Sequence, residues 1–300
     1  MLETPILYLA FNRPEDTVLS FSRIRSVKPK FLYIACDGPR ENCNSDNVKC
    51  AQVIDVINEL LDWHCEVKWL VREKNLGCGK AVSGAIDWFF SQVPYGIILE
   101  DDCLPNGSFF EFCTELLHRY KDNKRIVHIS GHNNQMGIWR GGYDYYFSRV
   151  VNIWGWATWR RAWEAYRFNV DGIEKLSVHP SAHLFPVSNL SDVIDGTVDT
   201  WDTQWLYVNF INNNLSISPN INLVDNIGFS DNATHTNFAA PGYLMKNKSG
   251  DYTFPLNHPV RFGFNHFADL HAAAYVFKIE KPGLMLKIVN RLYKYFNIAI

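Results

Sequence analysis

Paired cysteines, a signal peptide and long apolar runs are all missing from this chain of 300 residues. Its seven cysteines include no C-x-x-C pair and their number is odd, which argues against a zinc site or a disulfide framework. The N-terminus lacks the basic region of a signal peptide, and no apolar run approaches the roughly 18 residues that span a bilayer. We therefore expect a cytoplasmic protein.

A surplus of positive charge is also absent. The formal net charge is -2, with 20% charged and 47% hydrophobic residues, which is typical of a globular protein and excludes a polybasic field for nucleic acid. Aromatic residues, in contrast, reach 15% and include ten tryptophans. Rings fill cores, and in such numbers they also indicate a surface that stacks on sugars.

Apolar runs alternate with helical patterns through the first half of the chain. The predicted strands are Ile6–Ala10, Phe31–Cys36, Glu66–Val71, Tyr95–Leu99 and Ile126–Ser130. Helical patterns lie between them, beginning at Pro14 and covering Val53 to Leu61, Lys80 to Phe90 and Phe109 to Tyr120. This alternation predicts an α/β fold with a mostly parallel, twisted, Rossmann-like sheet and helices on both faces. After Gly131 the alternation stops, and the aromatic-rich second half contains one clear helical pattern near Ala157 to Tyr166.

Polar residues follow the predicted strands at the points where those strands end. They are Asn12-Arg13, Asp37-Gly38, Asn75 to Gly79, and Glu100-Asp101-Asp102. Open parallel sheets bind ligands outside the carboxyl ends of their strands. We therefore expect these four clusters to form the walls of one crevice.

Glu100, Asp101 and Asp102 directly follow a buried apolar strand. Adjacent carboxylates raise one another's pKa unless a cation meets them. Mg²⁺ or Mn²⁺ is the natural partner, because hard cations take oxygen ligands and usually arrive with a substrate's phosphates. Acidic residues also follow strands as solvated or helix-capping residues, but three in a row favour the metal. The triplet predicts a phosphate-bearing small molecule as ligand.

Two common nucleotide-binding motifs do not fit. Gly77 to Lys80 is similar to a phosphate loop, but Ala81 stands where Ser or Thr is needed and the glycine spacing is wrong. The first strand is followed by Phe11-Asn12-Arg13-Pro14 rather than by a G-x-G-x-x-G fingerprint. A nucleoside triphosphate hydrolase is disfavoured, and the common Rossmann oxidoreductase pattern is excluded.

Four further polar residues have ordinary interpretations when taken alone. Asp202 lies beside a helical stripe that includes Trp201 and Trp205, so composition places it on a solvated face. Asp37 fits a turn, Arg13 fits a surface charge, and His235 fits a loop histidine.

The acidic triplet and its surroundings resemble N-acetylglucosaminyltransferase I and its relatives, nucleotide-sugar-dependent glycosyltransferases of the GT-A type. Glu100 to Pro105 and Phe109-Phe110-Glu111 match that family's Glu-Asp-Asp, its following Pro and its Phe-Phe-Glu helix. Ile153 to Trp156 is similar to its Gly-x-Gly-Trp segment, and Trp201 to Trp205 is similar to Trp-Asp-Asp-Trp with one extra residue. Thr234-His235 corresponds to a Ser-His pair.

The resemblance spans about residues 5 to 240 and implies a role for each candidate. The residues that it places on the nucleotide donor are Arg13, Asp37, Lys80, Glu100 and Asp101. The metal ligands would be Asp102 and His235, with Mn²⁺ or Mg²⁺ as cofactor. The acceptor hydroxyl must lose its proton at the other face of the sugar, so a second carboxylate is needed, and the resemblance points to Asp202 as this catalytic base.

The implied activity is metal-dependent, inverting transfer of a sugar from a UDP-sugar donor to a hydroxyl of a glycan or lipid-linked glycan. The Golgi relatives carry a membrane anchor that is missing here, which favours a bacterial enzyme of surface polysaccharide synthesis. Two alternatives stay open. A sugar-phosphate nucleotidyltransferase normally has a Gly-rich loop after its first strand, and a carbohydrate-binding homologue would keep the fold without turnover.

The expected organisation has three parts: a nucleotide-sugar-binding half (1–131), an acceptor-binding and catalytic half of the same domain (132–270), and a basic amphipathic helix (271–300). In the last part apolar residues recur at helical spacing after Pro282-Gly283, among several Lys and Arg residues. Such a helix can contact the inner surface of a membrane, or it can pack on the domain with a solvated basic face.

Overall fold

The protein contains an eight-stranded central sheet. The computed structural model describes residues 1–170, 174–229, 247–279 and 281–296. The strands of the sheet are β1 (Ile6–Ala10), β2 (Phe31–Cys36), β3 (Glu66–Val71), β4 (Tyr95–Glu100), β6 (Ile126–Ser130), β7 (Tyr145–Ser148), β8 (Trp156–Trp159) and β9 (Leu215–Pro219). A separate antiparallel pair consists of β5 (Cys103–Pro105) and β10 (Val224–Asn226).

The strands lie in the order β3-β2-β1-β4-β8-β6-β9-β7. β1 to β4 are mutually parallel, β6 and β9 run in the same direction, and only β7 and β8 are reversed within this sheet. The sheet is therefore mostly parallel, as the alternation of strands and helices predicts. β8, from the second half of the chain, lies between β4 and β6 and joins the two halves in one sheet.

Helices cover both faces of the sheet. Those with eight or more residues are α1 (Pro14–Val27), α2 (Asn44–Leu60), α3 (Gly77–Gln92), α4 (Gly107–Arg119), α7 (Val187–Ile194), α8 (Asp202–Ile211), α9 (His266–Tyr275) and α10 (Leu284–Phe296). Shorter ones are α5 (Arg160–Trp163) and α6 (Glu174–Ser177). Successive residues of a strand point to opposite faces, so Tyr8 packs in a core with α1, α2 and α4, whereas Leu7 and Leu9 pack in a second core with α3, α7 and α8.

The prediction of a helix near Ala157 to Tyr166 is wrong. The segment begins as strand β8, Trp156–Trp159, and continues as the single turn α5. Trp156 pairs with Ile98 of β4 on one side and with Ser130 of β6 on the other, and all four side chains of β8 are buried. A strand buried on both faces is continuously apolar, and periodicity alone does not distinguish such a run from a buried helix.

Most of the tryptophans in the second half belong to the core. Trp156, Trp201 and Trp205 are fully buried, and the ring of Trp156 stacks on that of Trp201 with centroids 5.5 Å apart. Trp163 packs on Trp205 with centroids 5.1 Å apart. This aromatic cluster fixes the start of α8 against the sheet and thereby places Asp202.

A buried carboxylate ties α9 to the end of β7 and to the residue that follows it. Asp269 accepts hydrogen bonds from Ser148 Oγ (2.6 Å) and from the backbone N–H of Arg149 (3.2 Å). Burial raises its pKa from 3.8 to about 7, against the opposing effect of these hydrogen bonds. Between these two pH values the folded chain holds a proton that the unfolded chain releases, so Asp269 makes the free energy of unfolding fall as pH rises.

We therefore expect Asp269→Asn to make the slope of the free energy of unfolding against pH more positive between pH 4 and pH 7, because the negative contribution of Asp269 is lost. The side chain of asparagine has no proton to release in this range. Urea unfolding of the parent and the variant across this range measures the difference. Identical slopes in the two proteins would show that Asp269 does not titrate in the folded state as assigned.

Candidate functional site

A cavity of about 810 Å³ lies beyond the carboxyl ends of β1, β2 and β4. Residues from all four predicted polar clusters line it. These are Arg13, Asp37, Asn75, Gly77, Glu100, Asp101 and Asp102. The second half of the chain also contributes to the wall, with residues that include Trp154, Thr200, Asp202, Asn226 and Phe229.

The acidic triplet is held by Arg13. Glu100 ends β4, and the turn that follows presents Asp101 and Asp102 to the guanidinium group. Arg13 forms an ion pair with Asp101 and donates to Asp102 Oδ2 at 3.2 Å. The Asp101 side chain is only 2% exposed and also accepts from the backbone N–H of Phe11, whereas that of Asp102 is 18% exposed. Asp102 is therefore the member of the Arg13-bound pair that is more accessible from the cavity.

Burial and mutual repulsion shift the protonation of the triplet. Burial raises the pKa of Glu100 well above its usual range, and the charges of Asp102 and Asp101 add to that effect. Burial raises the pKa of Asp101 to about 6, and the nearby Arg13 keeps it from rising further. Glu100 Oε1 is buried and makes no hydrogen bond to any residue that the structure describes. The triplet thus retains uncompensated acceptor capacity.

Asp37 lies at the end of β2, where the loop before α3 closes over it. It accepts from Asn75 Nδ2 at 2.8 Å and from the backbone N–H of Leu76 at 3.2 Å. Burial raises its pKa, and the hydrogen bond from Leu76 opposes that shift. Asp37 is thereby fixed in the cavity wall rather than in a free turn.

Asp202 is the first residue of α8 and lines the same cavity. Its Oδ1 accepts from Thr200 Oγ1 at 2.6 Å and from the backbone N–H of Thr203 at 2.7 Å. The second oxygen, Oδ2, accepts neither of these hydrogen bonds. These two hydrogen bonds orient the side chain of Asp202 at the start of the helix, a position that favours acidic residues.

The electrostatics of Cys78 indicate that the two acidic regions share one space. Burial raises the pKa of this thiol, and the charges of Glu100 and Asp202 raise it further. Overall the cavity wall carries seven carboxylates, those of Asp37, Glu100, Asp101, Asp102, Asp192, Asp199 and Asp202. The arginines in the wall are Arg13, Arg40 and Arg72. A phosphate-bearing ligand entering this cavity would therefore meet both carboxylates and guanidinium groups.

Two candidates from the sequence stand apart from these residues. Lys80 is exposed on α3 and is not among the residues that line the cavity. His235 lies outside the described residues.

Several cavity residues are not singled out by sequence reasoning. Arg72 directly follows β3, so the rule that ligands gather at strand ends would have included it. Asp199 accepts from the backbone N–H of Gly79 at 3.1 Å and so caps the start of α3 from the distant second half. No sequence signal links those two segments, which are 120 residues apart. Trp154 and Phe229 form an edge-to-face ring pair in the wall, with centroids 5.5 Å apart.

No protein-family model and no curated protein matches the chain. Solved structures that are partly similar include a mannosyltransferase from Pyrobaculum calidifontis in complex with GDP-mannose and Mn²⁺, with 9% identity over 60% of this chain and a TM-score of 0.35. Mouse xyloside xylosyltransferase 1 has 11% identity and a TM-score of 0.36, and the match covers 71% of this chain and 82% of the xylosyltransferase. A UDP-glucose pyrophosphorylase bound to UDP-glucose has 11% identity and a TM-score of 0.34, and the match covers 55% of this chain and 79% of the pyrophosphorylase. The match covers about half, 53%, of the mannosyltransferase.

The carboxylate oxygens of the acidic triplet are suited to a divalent metal whose other ligands are phosphate and water. Among the described residues, no group of three or more His, Cys, Asp or Glu side chains is arranged to hold a metal ion. The accessible carboxylate of Asp102 and the unpartnered Glu100 Oε1 nevertheless offer hard oxygen atoms in an acidic cavity. Mg²⁺ commonly binds through one or two carboxylates, with phosphates and waters completing its shell.

Gly228 leaves room for the carboxylate of Asp102. A methyl group at this position would clash with Asp102 Oδ2, the oxygen that accepts from Arg13. We expect Gly228→Ala to displace that carboxylate. Under the assignment of Asp102 to a metal that is proposed below, this displacement weakens metal-dependent nucleotide binding about 10- to 100-fold, the usual cost of disturbing a metal ligand's support. Calorimetric titration with UDP and Mn²⁺ measures the loss. Gly263→Ala is the matched control, because a methyl group there meets nothing within 4 Å, and equal affinity in both variants would contradict the expectation.

Proposed function

We propose that this protein is a metal-dependent, inverting glycosyltransferase. It transfers a sugar from a UDP-sugar donor to a hydroxyl of a glycan or lipid-linked glycan, in bacterial surface polysaccharide synthesis. The observation that carries the proposal is the presence of two acidic regions in one cavity, the triplet at the end of β4 and Asp202 at the start of α8. Departure of a nucleoside diphosphate and deprotonation of an acceptor need separate groups, and we assign one of these roles to each region.

The donor half of the site is assigned to the ends of the parallel strands. Asp102 would hold Mn²⁺ or Mg²⁺ together with the donor diphosphate, and the bound metal would act as a Lewis acid that stabilises charge on the leaving group. Arg13 orients Asp101 and Asp102. We assign it to the diphosphate or ribose of the donor. Asp37, fixed by Asn75 and the backbone of Leu76, is assigned to the nucleotide base.

The acceptor half is assigned to the second half of the chain. Asp202 would accept the proton of the acceptor hydroxyl as that oxygen attacks the anomeric carbon of the donor sugar. The new bond forms on the face opposite to the departing diphosphate, so the configuration inverts. The ring pair of Trp154 and Phe229 offers an aromatic surface in the cavity wall on which a sugar can stack.

Calorimetric titration with UDP, GDP and CDP, each with Mn²⁺ and with EDTA, tests the donor assignment. We expect UDP to bind in the presence of the metal and to lose its affinity in EDTA. Equal binding in EDTA, or binding of no nucleotide, would contradict the proposal. Turnover of a nucleotide sugar is then measured as the amount of UDP released.

The two alternative functions are distinguished by what the protein binds and by whether it forms a product. A nucleotidyltransferase would form pyrophosphate from UTP and a sugar 1-phosphate. A carbohydrate-binding protein would bind glycans in the same titration without turning over any nucleotide sugar. Either result would replace the proposed reaction.

A further inference from the structure

α10 is fixed to the body of the protein by one of its faces. Leu286, Val289 and Tyr293 are at most 7% exposed and lie on that face. Val289 and Tyr293 pack in an apolar cluster with Ile138 and Phe267. The helix is therefore a part of the folded domain.

A buried polar network fixes the rotation of α10 about its axis. Asn290 accepts from Arg140 Nη2 at 2.9 Å, and its amide nitrogen lies 3.1 Å from His271 Nδ1. Arg140 is 1% exposed and stacks over the ring of Tyr293 at 5.1 Å. Since Asn290 and Tyr293 must face this network, the opposite side of α10 faces outwards.

The outward side carries an apolar stripe. Leu284 is 75% exposed, Met285 is 68% exposed and Ile288 is 49% exposed. Leu284 and Ile288 are four residues apart, so they lie on the same face of the helix. Exposed apolar side chains that cluster in this way are costly in water and indicate a binding surface.

Basic residues surround this stripe. Lys281, Lys287, Arg291 and Lys294 are all exposed, and residues 281–296 contain no Asp or Glu. The outward side of α10 is thus both apolar and positively charged, which is the composition of helices that lie in the headgroup region of an anionic bilayer.

We propose that the outward side of α10, defined by Leu284, Met285, Lys287, Ile288 and Arg291, docks on a bilayer that contains anionic lipid. Charge complementarity favours this occupant over a second copy of the chain, because a two-fold interface would set the same basic residues against one another. None of the described helices is long and apolar enough to cross a bilayer, so the helix would lie along the surface. The docking surface concerns α10 alone and holds whether or not the cavity transfers a sugar.

Vesicle co-sedimentation of the full chain tests the docking surface. The probes are vesicles of phosphatidylcholine alone and vesicles in which part of it is replaced by phosphatidylglycerol. We expect binding to the anionic vesicles and little to the neutral ones. Neutralising Lys287 and Arg291 with glutamine should weaken binding about fivefold for each charge removed. Ile288→Glu should weaken it roughly tenfold or more, because the apolar contact is lost as well.

Val48→Glu is the matched control, since Val48 is 59% exposed on α2 and lies away from α10 in sequence. It should bind anionic vesicles like the parent, and all variants should keep the parent's melting temperature because the changed side chains are exposed. Equal binding of the parent and Ile288→Glu, or equal binding to both kinds of vesicle, would overturn the proposal. Light scattering that finds a dimer broken by Ile288→Glu would assign the surface to a second copy instead.

Discussion

Asp102→Asn should abolish metal-dependent binding of UDP. The carboxylate of Asp102 is the more accessible member of the pair that Arg13 holds, it lines the cavity, and we assign it to the metal. An amide oxygen is a much weaker ligand for a hard divalent metal than a carboxylate is. Changes that merely disturb a ligand's support reduce metal affinity about 10- to 100-fold, so we expect a loss of at least about 100-fold here.

Calorimetric titration of UDP with Mn²⁺ present measures this loss. Asp55→Asn is the matched control, because it removes one carboxylate from the exposed surface of α2 with the same change in net charge. A dissociation constant for Asp102→Asn within a few-fold of that of the control would remove Asp102 from the metal site. Circular dichroism would establish that the variant is folded.

Asp202→Asn should leave UDP binding intact and reduce sugar transfer about 10²- to 10⁴-fold, the usual contribution of a general base. Asparagine has the shape of aspartate, and its side-chain oxygen can still accept from Thr200 and from the backbone of Thr203. The start of α8 should therefore keep its structure. Only the ability to take a proton from the acceptor is lost.

The expected split between binding and turnover distinguishes Asp202 from Asp102. Turnover is measured as release of UDP from the donor in the presence of acceptor, and binding is measured by calorimetry with the same donor. Asp195→Asn is the control, an exposed carboxylate in the same region of the chain that does not line the cavity. Normal turnover in Asp202→Asn would identify another residue as the base.

The parallel part of the sheet follows directly from the sequence. The predicted bounds of β1, β2, β3 and β6 agree with the structure, and those of β4 differ by one residue. β1, β2 and β4 are short apolar runs that end in polar or turn residues, so local pattern and tertiary position agree there. β8 breaks this agreement, because its place between β4 and β6 depends on pairing with strands that are distant in sequence.

The residues of the candidate site also include some that the sequence pattern predicts and others that depend on tertiary contacts. Polar residues that directly follow parallel strands, such as Arg13, Asp37 and Asp102, are brought to one cavity by topology alone. Asp202 reaches the same cavity because Trp201 and Trp205 are buried beneath it, although its local pattern favours a solvated face. The hydrogen bond between Asp199 and the start of α3 joins segments that are distant in sequence, and sequence periodicity carries no information about it.

The most direct measurement of the proposed donor site is a crystal structure of the protein with UDP and Mn²⁺, in which anomalous scattering locates the metal. We expect one metal ion bound to the carboxylate of Asp102, with the nucleotide in the cavity and its base beside Asp37. A nucleotide bound outside the cavity, or one bound inside it with no metal at Asp102, would contradict the assignment.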